Sequence, residues 1–320
     1  MLEINGFVTG AYPRSEELIK AFRKYFKKEI SREELKKKIL DEVKEIVEVQ
    51  STAGLKYIVD GMFEWHDLLR PVAENLSGVE INGLARWFDN NTFYKKPIIT
   101  RNISSKDSIL KDYIYPEIIP PGKWKLILPD PYTFISLSEN RSGLKLDQLL
   151  FRYAELLNEE LVELEIEYGI GQVQLSAPSL VWSKLDEDTL YLVGDAVEEM
   201  LKNVKAEKMI HFFFGDGLNV LPHVLEYKVD VLGFDLTRTN LMKLAEYDIE
   251  SIALGIIDGR NSLIEDVEVV LKKVEKYLNK KEPRLLYITP SCDLEFLTPE
   301  IAREKTILIK RIVNALREIF

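Results

Sequence analysis

Short apolar runs of strand length alternate with longer amphipathic runs almost from one end of this chain to the other, and that alternation constrains the fold more than any other feature. The apolar runs lie at 4–8, 57–60, 125–128, 172–175, 209–214, 231–234, 251–257 and 284–288. Helical stretches are expected at 15–50, 147–167, 188–203, 218–226, 241–246, 263–278 and 299–319. The first is broken near Lys28 and restarted by Ser31-Arg32-Glu33-Glu34, a capping pattern; the last opens on a proline, whose missing N–H costs nothing in a first turn. Strand after strand followed by helix predicts an α/β protein, specifically a (β/α)8 TIM barrel across 1–320. After the second strand, an irregular insertion at about 71–122 ends on the breaker Pro120-Pro121-Gly122 and reads as a strand pair or lid. Two smaller α/β domains divided near Gly122 are the alternative organisation, since composition shifts there. No Gly-x-Gly-x-x-Gly turn opens the first helix, so a dinucleotide-binding sheet is disfavoured.

Composition narrows the partners. With 46% hydrophobic and 30% charged residues, the 320-residue chain has material for a packed interior. Its 53 acidic against 43 basic residues give a net charge of −10, a field that repels nucleic-acid backbones and anionic membranes. A small-molecule substrate is therefore expected, with no nucleic acid and no membrane among the partners. Cys292 is the one cysteine, which rules out an internal disulfide, and no leader-like segment or apolar run of membrane-spanning length is visible; a cytoplasmic location is expected. Heavy use of Lys, Glu, Ile and Leu with glutamine only at 50, 148, 172 and 174 fits a heat-adapted source.

In a barrel of this kind the chemistry sits at the carboxyl ends of the strands. There the sequence places His211 after the fifth strand, Asp235 after the sixth and Cys292 after the eighth. Imidazole, carboxylate and thiolate are all ligands that zinc accepts, so the three form a candidate metal site; the competing reading is a buried histidine and a small buried cysteine in the core. Glu64, His66 and Asp67 form either an acid/base cluster or ordinary loop polar groups. Trp87 and Trp124 could stack a flat ligand or belong to local core, and His223 reads as structural.

Several segments, in order along the whole chain, resemble the cobalamin-independent methionine synthase family. They are Val8-Thr9-Gly10-Ala11-Tyr12-Pro13-Arg14, Gln50-Ser51-Thr52-Ala53-Gly54-Leu55 before Val59-Asp60-Gly61, Leu254-Gly255-Ile256-Ile257-Asp258, and the three strand ends His211-Phe212-Phe213, Asp235-Leu236-Thr237-Arg238 and Thr289-Pro290-Ser291-Cys292-Asp293-Leu294. The resemblance implies a TIM barrel, zinc, a methyltetrahydrofolate-type donor, a thiol acceptor such as homocysteine, and no bound cobalamin. Of the family's metal ligands, His211 and Cys292 match; Phe213 stands where the family has cysteine, and Asp235 where it has glutamate. Two carboxylates that clamp the amino acid are replaced, by Met62 and by Ser176-Ala177-Pro178. The segment Trp87-Phe88-Asp89-Asn90-Asn91 before Tyr94 resembles the amino-terminal barrel of the family's two-barrel members, which makes Trp87, Asp89 and Trp124 candidates for contacting the donor.

Two functions follow from the resemblance. One is an accessory, amino-terminal-like barrel working with a separately encoded catalytic barrel, which Trp87, Phe88, Phe93 and Tyr94 would help to dock. The other is a stand-alone zinc-dependent thiol methyltransferase with a divergent substrate, using a degenerate site of His211, Asp235 and Cys292.

Overall fold

A computed structural model describes residues 2–105 and 107–320. Its principal layer is a curled parallel sheet of β1 (Glu3–Gly6), β4 (Trp124–Pro129), β6 (Ile170–Ser176), β7 (Glu207–Phe212), β8 (Val231–Asp235), β9 (Ser251–Ile257) and β10 (Leu285–Pro290), ordered β1-β10-β9-β8-β7-β6-β4. Strands such as β9 are apolar throughout because both faces are covered, as in other parallel sheets. The connecting helices are α1 (Glu16–Phe26), α2 (Arg32–Thr52), α3 (Arg70–Asn75), α4 (Pro131–Ser136), α5 (Leu146–Tyr168), α6 (Pro178–Trp182), α7 (Glu187–Met200), α8 (Leu241–Leu244), α9 (Val267–Leu278) and α10 (Pro299–Ile319). No helix among the described residues is long and apolar enough to cross a membrane.

Seven of the eight expected strands join this ladder; the stretch 57–60 does not. It makes one isolated bridge, Ile58 with Trp124, although Lys56 N–H also donates to Gly6 O at 3.0 Å, so the segment touches both edge strands. The backbone leaves the extended conformation at once: Gly61 and Met62 hold φ of 86° and 54°, and the Asp60 carboxylate takes the N–H groups of Met62 and Tyr115 at 3.0 Å each. The side chain thus fixes the turn that ends the extended stretch.

Local signals account for most helix limits. Ser31 and Glu34 form the reciprocal capping box that starts α2, and Lys28, at φ 60°, breaks the path from α1. α9 begins at Val267 rather than 263 because Asp266 caps it, accepting Val269 N–H at 3.1 Å. Its buried Val270, Val274, Tyr277 and Leu278 follow helical spacing. The helix expected at 218–226 is instead two 3-10 turns, Gly217–Val220 and His223–Glu226, since Pro222 lacks an N–H and restrains the residue before it.

Within the stretch 71–122, β2 (Ser77–Arg86) and β3 (Phe93–Ser104) pair antiparallel, and β5 (Glu139–Asn140) adds to β3. The tip of this hairpin, residues 87–92, reaches the carboxyl ends of the main sheet, and its placement defines the site.

Candidate functional site

The end of β7 supplies His211 and then Phe213 and Phe214. His211 is fully buried, and neither ring nitrogen has a hydrogen-bond partner. Burial, with Lys125 adding, lowers its pKa to about 3, so the imidazole is neutral. The Phe213 ring packs against it at 5.1 Å. Two unpaired nitrogens on a buried neutral imidazole suit a metal ligand.

The other two candidates are committed elsewhere. Asp235 accepts Thr237 N–H at 2.8 Å and Thr237 Oγ1 at 2.6 Å on one oxygen, and Phe214 N–H at 3.1 Å on the other. It organises the turn after β8. The Cys292 sulfur lies 3.6 Å from Asp293 O and 3.8 Å from Ser291 Oγ, and burial, reinforced by Asp293 and Asp235, pushes the thiol well above its ordinary pKa. Among the described residues, no group of three or more His, Cys, Asp and Glu side chains is arranged to hold a metal ion. The donor set present does not fit zinc: one imidazole is poised for it, the carboxylate is taken up by Thr237 and Phe214, and the Phe213 ring packs on the imidazole.

The hairpin tip lies over these strand ends. Phe88 packs between Trp182, at 5.2 Å, and Phe214, at 5.6 Å, and Phe214 reaches Phe296 at 6.0 Å. Asp89 pairs with Arg238 Nη2 at 2.5 Å and with Arg260 Nη1 at 2.9 Å, while the Arg260 guanidinium lies 5.0 Å from the Phe214 ring centre. Trp87 is 5% exposed and packs on Phe88 and Tyr94; Tyr94 is 4% exposed and donates its hydroxyl to Leu137 O. The aromatic docking surface expected at Trp87, Phe88, Phe93 and Tyr94 is therefore turned inward, and Phe93 alone of the four is exposed, at 54%. Those rings serve the chain's own mouth. Trp124 is elsewhere again: it sits buried at the amino end of β4 against Tyr168, on the side of the sheet away from the strand carboxyl ends, and cannot stack a ligand there.

Beside the tip is a cavity of about 260 Å³, bounded by Met62, Trp65, His66, Asp67, Trp87, Asp293 and Glu295 among others. Met62 holds a left-handed φ of 54°. Gly10 lies close by, and a Cβ there would lie 1.3 Å from Asp293 Oδ1 and displace that carboxylate. The loop that carries His66 is pinned by Arg14, which donates to Phe63 O at 2.7 Å and Trp65 O at 2.6 Å. His66 is pushed down to about 4 by burial and by the cations Arg14, Arg70 and Lys95, and its ring packs on Phe22. Asp67 accepts the N–H groups of Leu69, Arg70 and Lys95, and Glu64 pairs with Arg32 at 2.5 Å and accepts the Tyr115 hydroxyl. Glu64 and Asp67 are structural links first. His223 packs edge-on to Tyr191, away from the strand ends.

Sequence reasoning missed Arg260 and Trp182. Neither lies in a recognisable motif; both matter only because the hairpin tip, distant in sequence, lands on them.

Comparison with known proteins bears on this arrangement. Residues 6–315 match the family described as cobalamin-independent synthase, catalytic domain. A methionine synthase of Sulfolobus acidocaldarius is 28% identical over 305 residues, covering 94% of this chain and 88% of that protein. One from Saccharolobus solfataricus is 28% identical over 318 residues, covering 97% and 94%. Among solved structures, a B12-independent methionine synthase from Shewanella sp. W3-18-1, in complex with selenomethionine, superposes with a TM-score of 0.78 at 19% identity, covering 99% of this chain and 97% of that one. A putative B12-independent methionine synthase from Listeria monocytogenes also gives 0.78, at 21% identity and 98% and 99% coverage. These structural likenesses carry the fold.

Proposed function

The chain belongs to the cobalamin-independent methionine synthase family, and we propose that within it the chain is a cytoplasmic, accessory (β/α)8 barrel, spanning 1–320 with a lid inserted at about 71–122, that acts with a separately encoded catalytic barrel. The segment around Ile58 would serve as the eighth stave, since it bonds toward both edge strands. The observation that carries the reading is the chain of rings over the strand ends: Phe213 packs on His211, Phe214 on Phe213 and Phe88 on Phe214, so apolar rings crowd the centre in which a metal-bound thiolate would be needed. Methyl transfer to a thiol needs that thiolate formed at neutral pH, and an apolar, ring-filled centre opposes it. Zinc is accordingly bound weakly or not at all by His211, Asp235 and Cys292. A methyltetrahydrofolate-type donor would meet this chain at the cavity beside Trp87, whose lining rings Trp65, Trp87 and Tyr94 offer apolar surface to a fused heterocycle.

A second reading is favoured by the same cavity. Asp67, Asp293 and Glu295 line it, and carboxylates there could hold an amino group in place of those missing at 62 and 176, as a stand-alone thiol methyltransferase with a divergent substrate would need.

The deciding experiment measures homocysteine methylation by the chain alone, by a catalytic barrel from the same cell, and by the two together. The accessory reading expects background turnover from the chain alone, co-purification, and a higher rate for the pair. Multiple turnovers by the isolated chain, abolished by Cys292→Ala, would establish the second reading instead.

A further inference from the structure

The two arginines over the mouth are held by the body of the protein, whereas the acid that neutralises them comes from the hairpin. Arg260 follows β9 on a loop whose Asp258 takes Arg260 N–H at 2.9 Å; the same loop is anchored by the buried Lys305, which donates to Asp258 O at 2.8 Å and to Glu265 at 2.8 and 3.0 Å. Arg238 follows β8 on the turn that Asp235 organises, where Thr239 Oγ1 also accepts Gly217 N–H at 2.8 Å. Neither arginine makes another ion pair among the described residues, and each takes a separate oxygen of Asp89. Arg260 Nη1 also meets Asn90 Oδ1 at 3.4 Å. One carboxylate shared between two guanidiniums on rigid loops, with an aromatic face beneath one of them, is how proteins recognise a ligand's acid group.

From this geometry we infer that Arg238 and Arg260 form a binding site for the carboxylate of a small-molecule ligand, and that Asp89 occupies it as an internal stand-in. The loops that carry the arginines are anchored independently of the hairpin, and Phe214 lies beneath the Arg260 guanidinium whether or not Asp89 is in place. The stand-in is displaceable because the tip turns at Phe88 with φ 51° and is otherwise bonded mainly to itself, through Trp87 N–H to Thr92 O at 2.9 Å and Arg86 Nε to Asn90 O at 2.9 Å. Ligand binding therefore swings Asp89 and Phe88 off the strand ends and opens the mouth. The inference is independent of whether the barrel acts alone or with a partner.

The test is calorimetric titration of the full chain with glutarate, with inorganic phosphate in parallel. A tethered acid competes at an effective concentration of roughly millimolar, so removing it should tighten glutarate binding about tenfold or more in Asp89→Ala relative to the parent chain. Replacing Arg238 or Arg260 with Gln in the Asp89→Ala background should abolish that gain. In the parent chain, saturating glutarate should raise hydrogen exchange at residues 87–91. Asp89→Asn, nearly isosteric, guards against misfolding and should gain affinity in the same direction. Equal glutarate affinity in the parent and both Asp89 variants, binding that survives loss of either arginine, or a preference for phosphate over glutarate would each overturn the assignment.

Discussion

Phe88 and Phe214 meet ring to ring at 5.6 Å although they come from the hairpin tip and from the end of β7, and both hold left-handed backbone, φ 51° and 69°. Such a conformation costs a non-glycine residue about 1 kcal/mol or more and persists where surrounding packing compels it. The contact is thus made at the expense of local backbone comfort on both sides, and it is the ring of Phe88 that closes the mouth.

That balance can be separated by two substitutions. Phe88→Ala removes the ring and keeps the backbone strain; Phe88→Gly removes the ring and relieves it. With the ring only partly buried, Phe88→Ala should cost about 2 kcal/mol, below the range for a fully buried phenylalanine. Phe88→Gly should cost about 1 kcal/mol less than the alanine variant in urea unfolding. A glycine variant less stable than the alanine one would mean the left-handed turn is not strained.

Phe213 is the side chain that sets the fate of the metal site, because its ring lies 5.1 Å from a histidine with two unpaired nitrogens. Phe213→Cys should raise zinc affinity about tenfold or more, the second sulfur supplying what the occupied Asp235 cannot. Competition against a chromophoric chelator measures it. Stoichiometric zinc that survives chelation in the parent chain would refute the steric account.

Much of this architecture is legible in the chain. Ser31 and Glu34 announce α2, the proline at 299 opens α10, and the apolar run 251–257 coincides with β9, because caps and buried strands are specified by neighbouring residues. The stretch 57–60 looks like an equal strand but makes a single bridge, since Gly61 and Met62 turn the backbone away at once, a turn held by the Asp60 carboxylate through Met62 and, far along the chain, Tyr115. The site shows the same division. His211, Asp235 and Cys292 are placed at strand ends by pattern alone, but the partners that occupy Asp235 and the hairpin that lays Asp89 on Arg260 are long-range outcomes that no local spacing encodes. Trp87 and Phe88 read as a docking surface from their density, and only packing shows that they face inward.

Glu64 joins Arg32 and the Tyr115 hydroxyl at a nearly buried position, so its loss should register in folding. Glu64→Ala should cost about 2–3 kcal/mol, since the phenol of Tyr115 loses its acceptor and the ion pair is broken. Glu64→Gln, which keeps an acceptor, should cost about half as much by denaturant unfolding. An unchanged midpoint for the alanine variant would return Glu64 to the candidates for acid/base work.

Two buried carboxyl groups give stability a pH dependence of defined sign. Burial raises Asp60 to about 6 and Asp130 to about 7, each from 3.8, against the lowering effect of the backbone N–H groups they accept. A raised carboxyl pKa means that the folded chain binds more protons than the unfolded one between about pH 4 and 7. Their contribution is therefore most favourable near pH 4, declines as pH rises through 6 and 7, and reaches its full penalty above that. For Asp130 the shift corresponds to at most about 4 kcal/mol. Asp130→Asn keeps a side-chain acceptor for Tyr132 or Thr133 N–H at the start of α4 and removes the charge. The difference in stability between Asp130→Asn and the parent should favour the variant at pH 8 and shrink or reverse at pH 4, as read from paired unfolding curves in which all other titrating groups cancel. A difference that is constant across that range, or that grows toward low pH, would show that Asp130 is charged in the folded chain without penalty.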